Sequence, residues 1–84
     1  FKDRPNHYSE QTNVVYQLEQ TSEVTLEVFN KLGQKVTTLH KGIQEPGTYQ
    51  YPFNAKKYGF SAGVYTVKMT INSQMFTRLL FENN

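Results

Sequence analysis

The chain has 84 residues, and its nine Lys and Arg against seven Asp and Glu give a formal net charge of +2 at pH 7. This length allows one small domain, and so small a charge argues against the clustered basic surface with which proteins bind nucleic acid. The chain has no cysteine, so disulfides, thiolate metal sites and cysteine nucleophiles are excluded. No apolar stretch approaches the roughly 20 residues that a membrane span needs.

The N-terminal residues are interpreted as a segment separate from the domain. We predict a linker or flexible segment over residues 1–8 and one domain over residues 9–84. The chain begins with Phe1 rather than with methionine, and we therefore expect it to be an excised part of a longer protein.

Period-two alternation begins in "NVVYQL", where Val14, Tyr16 and Leu18 share one face. Such alternation is typical of a strand with one buried side. The same pattern returns in "EVTLEVF", residues 23–29, in which the valines and the leucine again have one parity. The sequence thus predicts two strands in its first third.

The stretch "NKLG", residues 30–33, follows directly and is typical of a tight turn. Asn30 opens such a turn by bonding to its own backbone, and Gly33 supplies a left-handed position. We therefore predict a hairpin that joins strand 23–29 to a strand over residues 34–39.

Three further runs alternate in the second half of the chain. They are "TYQYPF", "VYTVKMTI" and "QMFTRLLF", and the last two are separated only by Asn72 and Ser73. Two polar residues between alternating runs predict a second hairpin, of strands 64–71 and 74–81. The longer connections "HKGIQEPG" and "NAKKYGFSAG" have no apolar period, and we predict that they are loops crossing between sheets.

Six or seven short strands at regular spacing, with no helical segment, indicate the fold class. The prediction is an all-β domain, a small antiparallel immunoglobulin-like β-sandwich of about seven strands. The absence of cysteine and tryptophan excludes the hallmarks of antibody domains but not this architecture.

The inventory of chemically active side chains is poor. His7, His40 and Asp3 are the residues available for acid, base or metal chemistry, and no serine beside them lies in a nucleophile elbow. Glu23 and Glu27 share a strand face, but their backbones lie about 13 Å apart, beyond the roughly 5–9.5 Å that glycosidases use. We predict no catalytic residues, no metal ligands and no cofactor, and hence no enzyme.

Aromatic side chains raise the alternative of a sugar-binding platform. Tyr49, Tyr51 and Phe53 have one parity in a strand, and large side chains of one parity more often form the core of a small domain. Tyr58 and Tyr8 lie in loop-like contexts and are therefore the better candidates for a surface role.

The order of elements resembles a known family. The runs "VTLEVFNKLGQKVTTLHKGIQEPGTYQYPF" and "FSAGVYTVKM", followed by a last strand, resemble the C-terminal sorting domain of type IX secretion cargo proteins of the Bacteroidetes. The resemblance covers residues 5–82 and includes a Pro-Asn opening, a strand-turn-glycine unit and a Gly-Val-Tyr motif. The last strand departs from the family, since "TRLLFENN" keeps only Arg78 where lysines are common.

The resemblance implies a secretion signal rather than a catalyst. It implies that the domain directs a folded cargo, fused at its N-terminus, through the outer-membrane type IX translocon, with recognition by the translocon or by shuttle proteins. It further implies removal by a sortase-like cysteine protease. The implied localisation is the periplasm in transit, and then the cell surface or the medium. The matching positions give a set of candidate recognition residues: Gly33, Gly47, Phe60, Gly63, Val64, Tyr65, Lys68 and Arg78.

Two other function classes stay open. The first is a non-catalytic immunoglobulin-like binding module, either a carbohydrate-binding domain or an accessory domain of the kind that caps flagellar hooks. The second, much less favoured, is an enzyme. If the domain engages a partner by strand addition, an exposed sheet edge is the natural surface, and we expect that edge in the last hairpin, residues 64–81.

Overall fold

The computed structural model describes residues 2–5 and 12–82. Seven strands lie within these residues: β1 (Lys2–Pro5), β2 (Thr12–Leu18), β3 (Ser22–Phe29), β4 (Lys35–Gln44), β5 (Gly47–Phe53), β6 (Gly63–Ile71) and β7 (Gln74–Glu82). A 3₁₀ helix of one turn, Ala55–Tyr58, lies between β5 and β6. Among the described residues, no helix has the length and apolar character needed to cross a membrane.

The strands form two antiparallel sheets. One sheet has three strands in the order β1-β2-β5, and the other has four in the order β4-β3-β6-β7. The predicted fold class, an antiparallel immunoglobulin-like sandwich of about seven strands, is confirmed.

The core lies between the two sheets and is built from alternate residues of each strand. Every second position of β2 and of β3 is buried, as the alternation of apolar residues predicts. The fully or almost fully buried apolar side chains are Val14, Tyr16, Leu18, Val24, Leu26, Val28, Phe53, Ala55, Tyr65, Val67, Met69 and Leu80. Tyr49 and Tyr51 pack against this core from β5, so the core interpretation of that aromatic row is confirmed.

The first hairpin forms as predicted. Asn30 Oδ1 accepts hydrogen bonds from the backbone N–H groups of Leu32 (3.0 Å) and Gln34 (2.9 Å), and Gly33 has a φ of 84°. The turn therefore uses the asparagine and the glycine in the roles expected of them.

The second strand of this hairpin is longer than predicted. β4 continues to Gln44, so most of the predicted loop "HKGIQEPG" is strand, and the loop prediction is wrong for these residues. Its pairing with β3 shifts register twice, which leaves Val36 and Leu39 as the extra residues of two bulges. Both side chains pack against the core. Because each bulge resets the alternation of faces, the period-two signal is lost beyond the first few residues.

The connection from β5 to β6 crosses between the sheets, as predicted, but it is not wholly irregular. Its 3₁₀ helix begins after Asn54, whose Oδ1 accepts from the Lys56 N–H at 3.1 Å, and ends at Gly59, which has a left-handed backbone. A single turn is too short to produce a helical apolar period in the sequence.

The second hairpin also forms as predicted, with Ile71 opposite Gln74 across Asn72 and Ser73. Asn72 has a φ of 56°. Its backbone N–H donates to the Glu23 carbonyl at 2.8 Å, and its Oδ1 accepts from the Glu23 N–H at 3.1 Å. These two bonds tie the turn to the beginning of β3.

The N-terminal residues contain a strand that the sequence reading lacks. Lys2–Pro5 lie within the segment interpreted as a linker or flexible segment, and they pair with β2 in the register Pro5 opposite Thr12. A strand of four residues held by backbone pairing needs no apolar alternation, so the sequence gives no signal for it. The boundary between linker and domain stays a prediction.

Candidate functional site

β7 forms an edge of the four-stranded sheet and has an unusual surface. Among the described residues it pairs with β6 on one side and with no strand on the other. Its exposed apolar side chains are Met75 (60% exposed), Phe76 (45%), Leu79 (51%) and Phe81 (48%). Single exposed apolar residues are ordinary, whereas several in one strand indicate a contact surface.

The two faces of β7 differ. Met75, Leu79 and Phe81 lie on the outer face of the sheet, where Val64 of β6 stands opposite Phe81. The inner face has Leu80 and Glu82 buried between the sheets. Phe76 has the same parity as Leu80 but lies near the other end of the strand, where it is only partly covered. Apolar surface is thus exposed on both sides of one edge.

Phe76 lies at the mouth of an open groove between the sheets, with a volume of about 570 Å³. Its lining combines residues of β2 and β6 with the first half of β7: Tyr16, Gln17, Met69, Ile71, Met75, Phe76, Thr77 and Arg78. The groove and the outer apolar face meet at Met75, so the edge and the groove form one continuous surface.

The backbone of β7 also presents hydrogen-bonding groups to the open side. A two-residue hairpin loop makes Ile71 and Gln74 a hydrogen-bonded pair, and such pairs recur at every second residue. The N–H and C=O groups of Met75, Thr77 and Leu79 therefore point away from β6. At the far end, the Phe81 carbonyl already accepts a hydrogen bond from Thr12 Oγ1 at 3.1 Å.

The C-terminal end of β7 is anchored by a buried carboxylate. Glu82 is 5% exposed, and its Oε1 accepts from the Ala55 backbone N–H at 2.5 Å. The single hydroxyl proton of Thr12 is shared between Glu82 Oε2 and the Phe81 carbonyl, each 3.1 Å from Thr12 Oγ1. One side chain thereby joins β7 to β2 and to the 3₁₀ helix. The Tyr65 hydroxyl donates to the Ser61 carbonyl nearby, and burial, with the charge of Glu82 second, raises the Tyr65 pKa.

A second polar cluster links the two sheets beside β4. Tyr16 Oη donates to Gln44 Oε1 at 2.6 Å, and Gln44 Nε2 donates to Tyr51 Oη at 2.6 Å. The Tyr16 ring stacks on Tyr49 and Tyr51, with centroids 5.6 and 6.1 Å apart. Burial, and then the neighbouring Tyr51, raises the Tyr16 pKa. Since these rings contact one another, this cluster is a structural link and not an exposed platform.

Five of the eight predicted recognition residues lie at one end of the sandwich. Phe60, Gly63, Val64 and Tyr65 line a small groove of about 210 Å³ together with the turn that precedes Gly33. Gly63 begins β6 with a φ of 150°. The structure thus places Phe60 against the core and Tyr65 within it, and gives each a role in the fold.

The other three predicted residues lie elsewhere. Gly47 begins β5 and pairs with Leu18 at the opposite end of the sandwich. Lys68 lies in the middle of β6, with its Nζ 5.8 Å from the centre of the Phe29 ring. Arg78 lies in β7 and lines the large groove. The eight residues therefore form no single site, and a recognition role for them stays a prediction.

The residues considered for catalysis are dispersed. Within residues 2–5 and 12–82, no three His, Cys, Asp or Glu side chains are grouped to hold a metal ion. Glu23 is exposed, and Glu27 pairs with Lys35 at 3.4 Å on the outer face. The His40 ring lies beside the Tyr51 ring, with the two centroids 5.9 Å apart. His7 and Tyr8 lie outside the described residues.

Comparison with known families gives a match over most of the chain. The model of the FlgD Ig-like domain matches residues 6–74. The chain belongs to the FlgD Ig-like domain family. No curated protein and no solved structure matches. Membership of a family of immunoglobulin-like domains is consistent with the prediction that the chain is not an enzyme.

This membership corrects the family inferred from the sequence. The chain matches the FlgD Ig-like domain family and not a type IX sorting domain. The matching motifs have structural explanations that any small sandwich can share, because Gly33 and Gly63 supply positive φ angles and Tyr65 is a core residue. The translocon, shuttle, protease and cargo partners, and the route through the periplasm, lose their basis with that resemblance.

Sequence reasoning missed the most distinctive residues. The edge expected in residues 64–81 contains Phe76, Leu79 and Phe81, but neither these exposed residues nor the buried Glu82 was named individually as a candidate. The signal was present in "QMFTRLLF", where apolar residues occupy both parities of one strand. A strand with one solvated face should alternate, so apolar residues of both parities next to a charged Arg78 could have indicated a partly covered edge.

Proposed function

We propose that this FlgD Ig-like domain is an accessory module that holds another protein at β7 by strand addition. The observation that carries the proposal is an edge strand with exposed Met75, Phe76, Leu79 and Phe81. Strand addition uses two features of such an edge: backbone groups provide affinity, and pockets for alternate side chains provide specificity.

Both features occur along one stretch of β7. The backbone groups of Met75, Thr77 and Leu79 point to the open side. The groove beside Phe76 offers about 570 Å³ for the side chains of an added strand that point between the sheets. The side chains that point the other way would extend the apolar outer face at Leu79 and Met75.

The family name supports a role in a protein assembly. FlgD is a flagellar hook capping protein, and an accessory domain of such a protein contributes contacts rather than chemistry. For this chain the corresponding role is that of a domain appended to a larger protein and attached through its edge to a neighbouring protein.

A carbohydrate-binding function has less support. Tyr58 is 40% exposed, but its ring stacks on Phe53, with the centroids 5.8 Å apart and the planes at 9°. Tyr49 and Tyr51 belong to the cluster around Tyr16. A sugar platform needs an exposed aromatic face, whereas the apolar side chains of β7 lie on both sides of an edge.

The test is selection of extended peptides from a displayed random library on the immobilised domain. Met75→Lys at the edge is the test variant, and Leu32→Lys is its control, since Leu32 is 82% exposed and lies in the turn between β3 and β4. We expect the wild type and Leu32→Lys to bind the same peptides and Met75→Lys to lose them, with amide shifts along β7 on titration.

Two outcomes would contradict the proposal. Peptides that bind Met75→Lys as well as the wild type would place the docking surface elsewhere. Retention on insoluble cellulose, chitin or xylan, unaffected by Met75→Lys and abolished by Tyr58→Ala, would favour the carbohydrate-binding function instead.

A further inference from the structure

The four outer strands of the sandwich differ in how they are protected against pairing. β4 has two bulges and the lysines Lys35 and Lys41. β5 contains Pro52 and β1 contains Pro5, each of which lacks a backbone donor. Bulges, lysines and prolines are the devices by which sheet proteins prevent edge-to-edge association. Three of the four edges are therefore protected.

β7 has no bulge, no lysine and no proline, and its one exposed charged side chain is Arg78. Its sequence "QMFTRLLFE" contains neither lysine nor proline, and its pairing with β6 runs without a register shift from Gly63 opposite Glu82 to Ile71 opposite Gln74. A regular apolar edge strand is a template for another strand.

The length of the open edge limits where a second strand can pair. Toward the C-terminus, Thr12 Oγ1 already donates to the Phe81 carbonyl, and β1 also lies near β7. Toward the N-terminus, the strand ends at Gln74. The outward-pointing residues that remain are Met75, Thr77 and Leu79, and Thr77 is the midpoint of this stretch.

The sequence around Thr77 is complementary to itself when it pairs antiparallel. With Thr77 opposite the second copy's Thr77, each Met75 stands opposite Leu79 on the outer face. On the groove face, each Phe76 stands opposite Arg78. Threonine pairs, apolar pairs and an arginine beside an aromatic ring are all favourable neighbours across strands.

The two registers shifted toward the C-terminus are worse. A pairing centred on Arg78 places two guanidinium groups directly opposite each other, and like charges in that position are destabilising. A pairing centred on Leu79 sets Thr77 opposite Phe81, whose carbonyl is already bonded to Thr12. The extent of the open stretch and the side-chain pairs both favour Thr77 as the centre of the pairing.

We propose that the partner at β7 is a second copy of this chain, paired antiparallel through β7 with Thr77 opposite Thr77 to form one continuous eight-stranded sheet. This inference rests on the proposed docking function of β7 and names its occupant. The two-fold axis at Thr77 makes the interface isologous, the usual form in protein dimers. Each chain contributes only one strand to this contact, whereas stable interfaces bury roughly 1,200–2,000 Å², so we expect a dimer that dissociates on dilution.

The test uses the absence of cysteine from the chain. In a hydrogen-bonded pair of antiparallel strands the Cα atoms are about 5.5 Å apart, within the range that a disulfide spans. Under mild oxidation Thr77→Cys should form a covalent dimer. Met75→Cys and Leu79→Cys should each stay monomeric alone and cross-link when mixed. Leu32→Cys, at an exposed position outside β7, is the control for random collision.

Sedimentation equilibrium of the chain without cysteine tests the association independently. We expect a monomer–dimer equilibrium whose dissociation constant rises at least roughly tenfold in Met75→Lys, about 1.4 kcal/mol, and is unchanged in Leu32→Lys. A monomer at every concentration, or cross-linking of Thr77→Cys no faster than that of Leu32→Cys, would overturn the inference. The peptide selection on β7 would still succeed in that case, so this failure is distinct from a failure of the proposed function.

Discussion

Replacing Glu82 by alanine tests whether the buried carboxylate holds the end of β7 in place. Glu82 accepts hydrogen bonds from the Ala55 backbone N–H and from Thr12 Oγ1. Alanine removes both acceptors. Thr12 keeps the Phe81 carbonyl as a partner, whereas the buried Ala55 N–H loses the acceptor shown for it.

The expected loss of stability follows from the Ala55 N–H, which is left without its acceptor. A buried donor without a partner costs about 1–3 kcal/mol, and a hydrogen bond to a charged group is at the upper end of this range. We therefore expect Glu82→Ala to lower the free energy of unfolding by about 2–3 kcal/mol. For a domain of this size each kcal/mol corresponds to roughly 4–8 °C in Tm, so the decrease in Tm should be roughly 10–20 °C.

Glu82→Gln is the matched control because it keeps the shape and one acceptor. Its Oε1 can accept from the Ala55 N–H, and its amide can donate to Thr12 Oγ1 while the Thr12 hydroxyl donates to the Phe81 carbonyl. All these groups keep a hydrogen-bond partner, so the decrease in the free energy of unfolding should stay near 1 kcal/mol. The charge of Glu82 is the second cause of the raised Tyr65 pKa, so glutamine should also lower the pKa of Tyr65.

Urea denaturation at pH 7 measures the free energies, with Glu23→Ala on the exposed face of β3 as a control for loss of a glutamate. Amide hydrogen exchange at Ala55 should accelerate in Glu82→Ala and not in Glu82→Gln. If Glu82→Ala unfolds at the same urea concentration as the wild type, the carboxylate does not hold β7. If glutamine is as damaging as alanine, charge rather than hydrogen bonding is the cause.

Three further predictions concern the rest of the fold. The pKa values of Tyr16 and Tyr65 are raised in the folded state. Their contribution to the free energy of unfolding is therefore complete below the unfolded pKa of about 10 and is lost as the pH rises beyond it. The urea midpoint of unfolding should fall above about pH 10, and it should fall less steeply in Tyr16→Phe. Gly63→Val forces a valine to a φ of 150°, which should cost about 1–3 kcal/mol in thermal unfolding, and an unchanged Tm would refute the role of this backbone angle. Asn30→Ala removes the acceptor of two turn N–H groups and should lower the free energy of unfolding by about 1 kcal/mol; an unchanged urea midpoint would contradict this role of Asn30.

The fold could be predicted from the sequence wherever burial is one-sided and regular. In β2 and β3 every second residue enters the core, so alternation identified the strands, their faces and the hairpin at Asn30. The period-two alternation failed to indicate the full length of β4, because the bulges at Val36 and Leu39 change which residues face the core. It also failed in β1, whose four residues are held by backbone pairing to β2 and need no apolar pattern.

The candidate site was harder to predict because its properties belong to the sheet and not to local sequence. The hairpin of β6 and β7 was expected from Asn72 and the flanking alternation, but the sequence does not show which strand is internal. The sheet order places β6 inside and β7 at the edge. Glu82 gave no local signal either, because its partners Thr12 and Ala55 are distant in the chain.

The sequence also led to the wrong family, for a physical reason. Gly33 and Gly63 are needed where the backbone has a positive φ, and Tyr65 is needed where a strand begins inside the core. These demands come from building a short sandwich, and they recur in unrelated functions that share the architecture. Motifs of this kind identify the fold more securely than they identify a role.

β7 combines a fixed backbone with a side that pairs with no strand among residues 2–5 and 12–82, and this combination supports docking at its centre. Asn72 ties the beginning of the hairpin to Glu23 of β3, and Glu82 ties the end of β7 to Thr12 and Ala55. The open stretch around Thr77 is thus held at both ends by hydrogen bonds that do not use its outward-pointing groups. Ordering a mobile segment on binding consumes part of the binding free energy. An edge already fixed in strand conformation avoids that cost, so its apolar side chains and backbone groups are available to a partner without rearrangement.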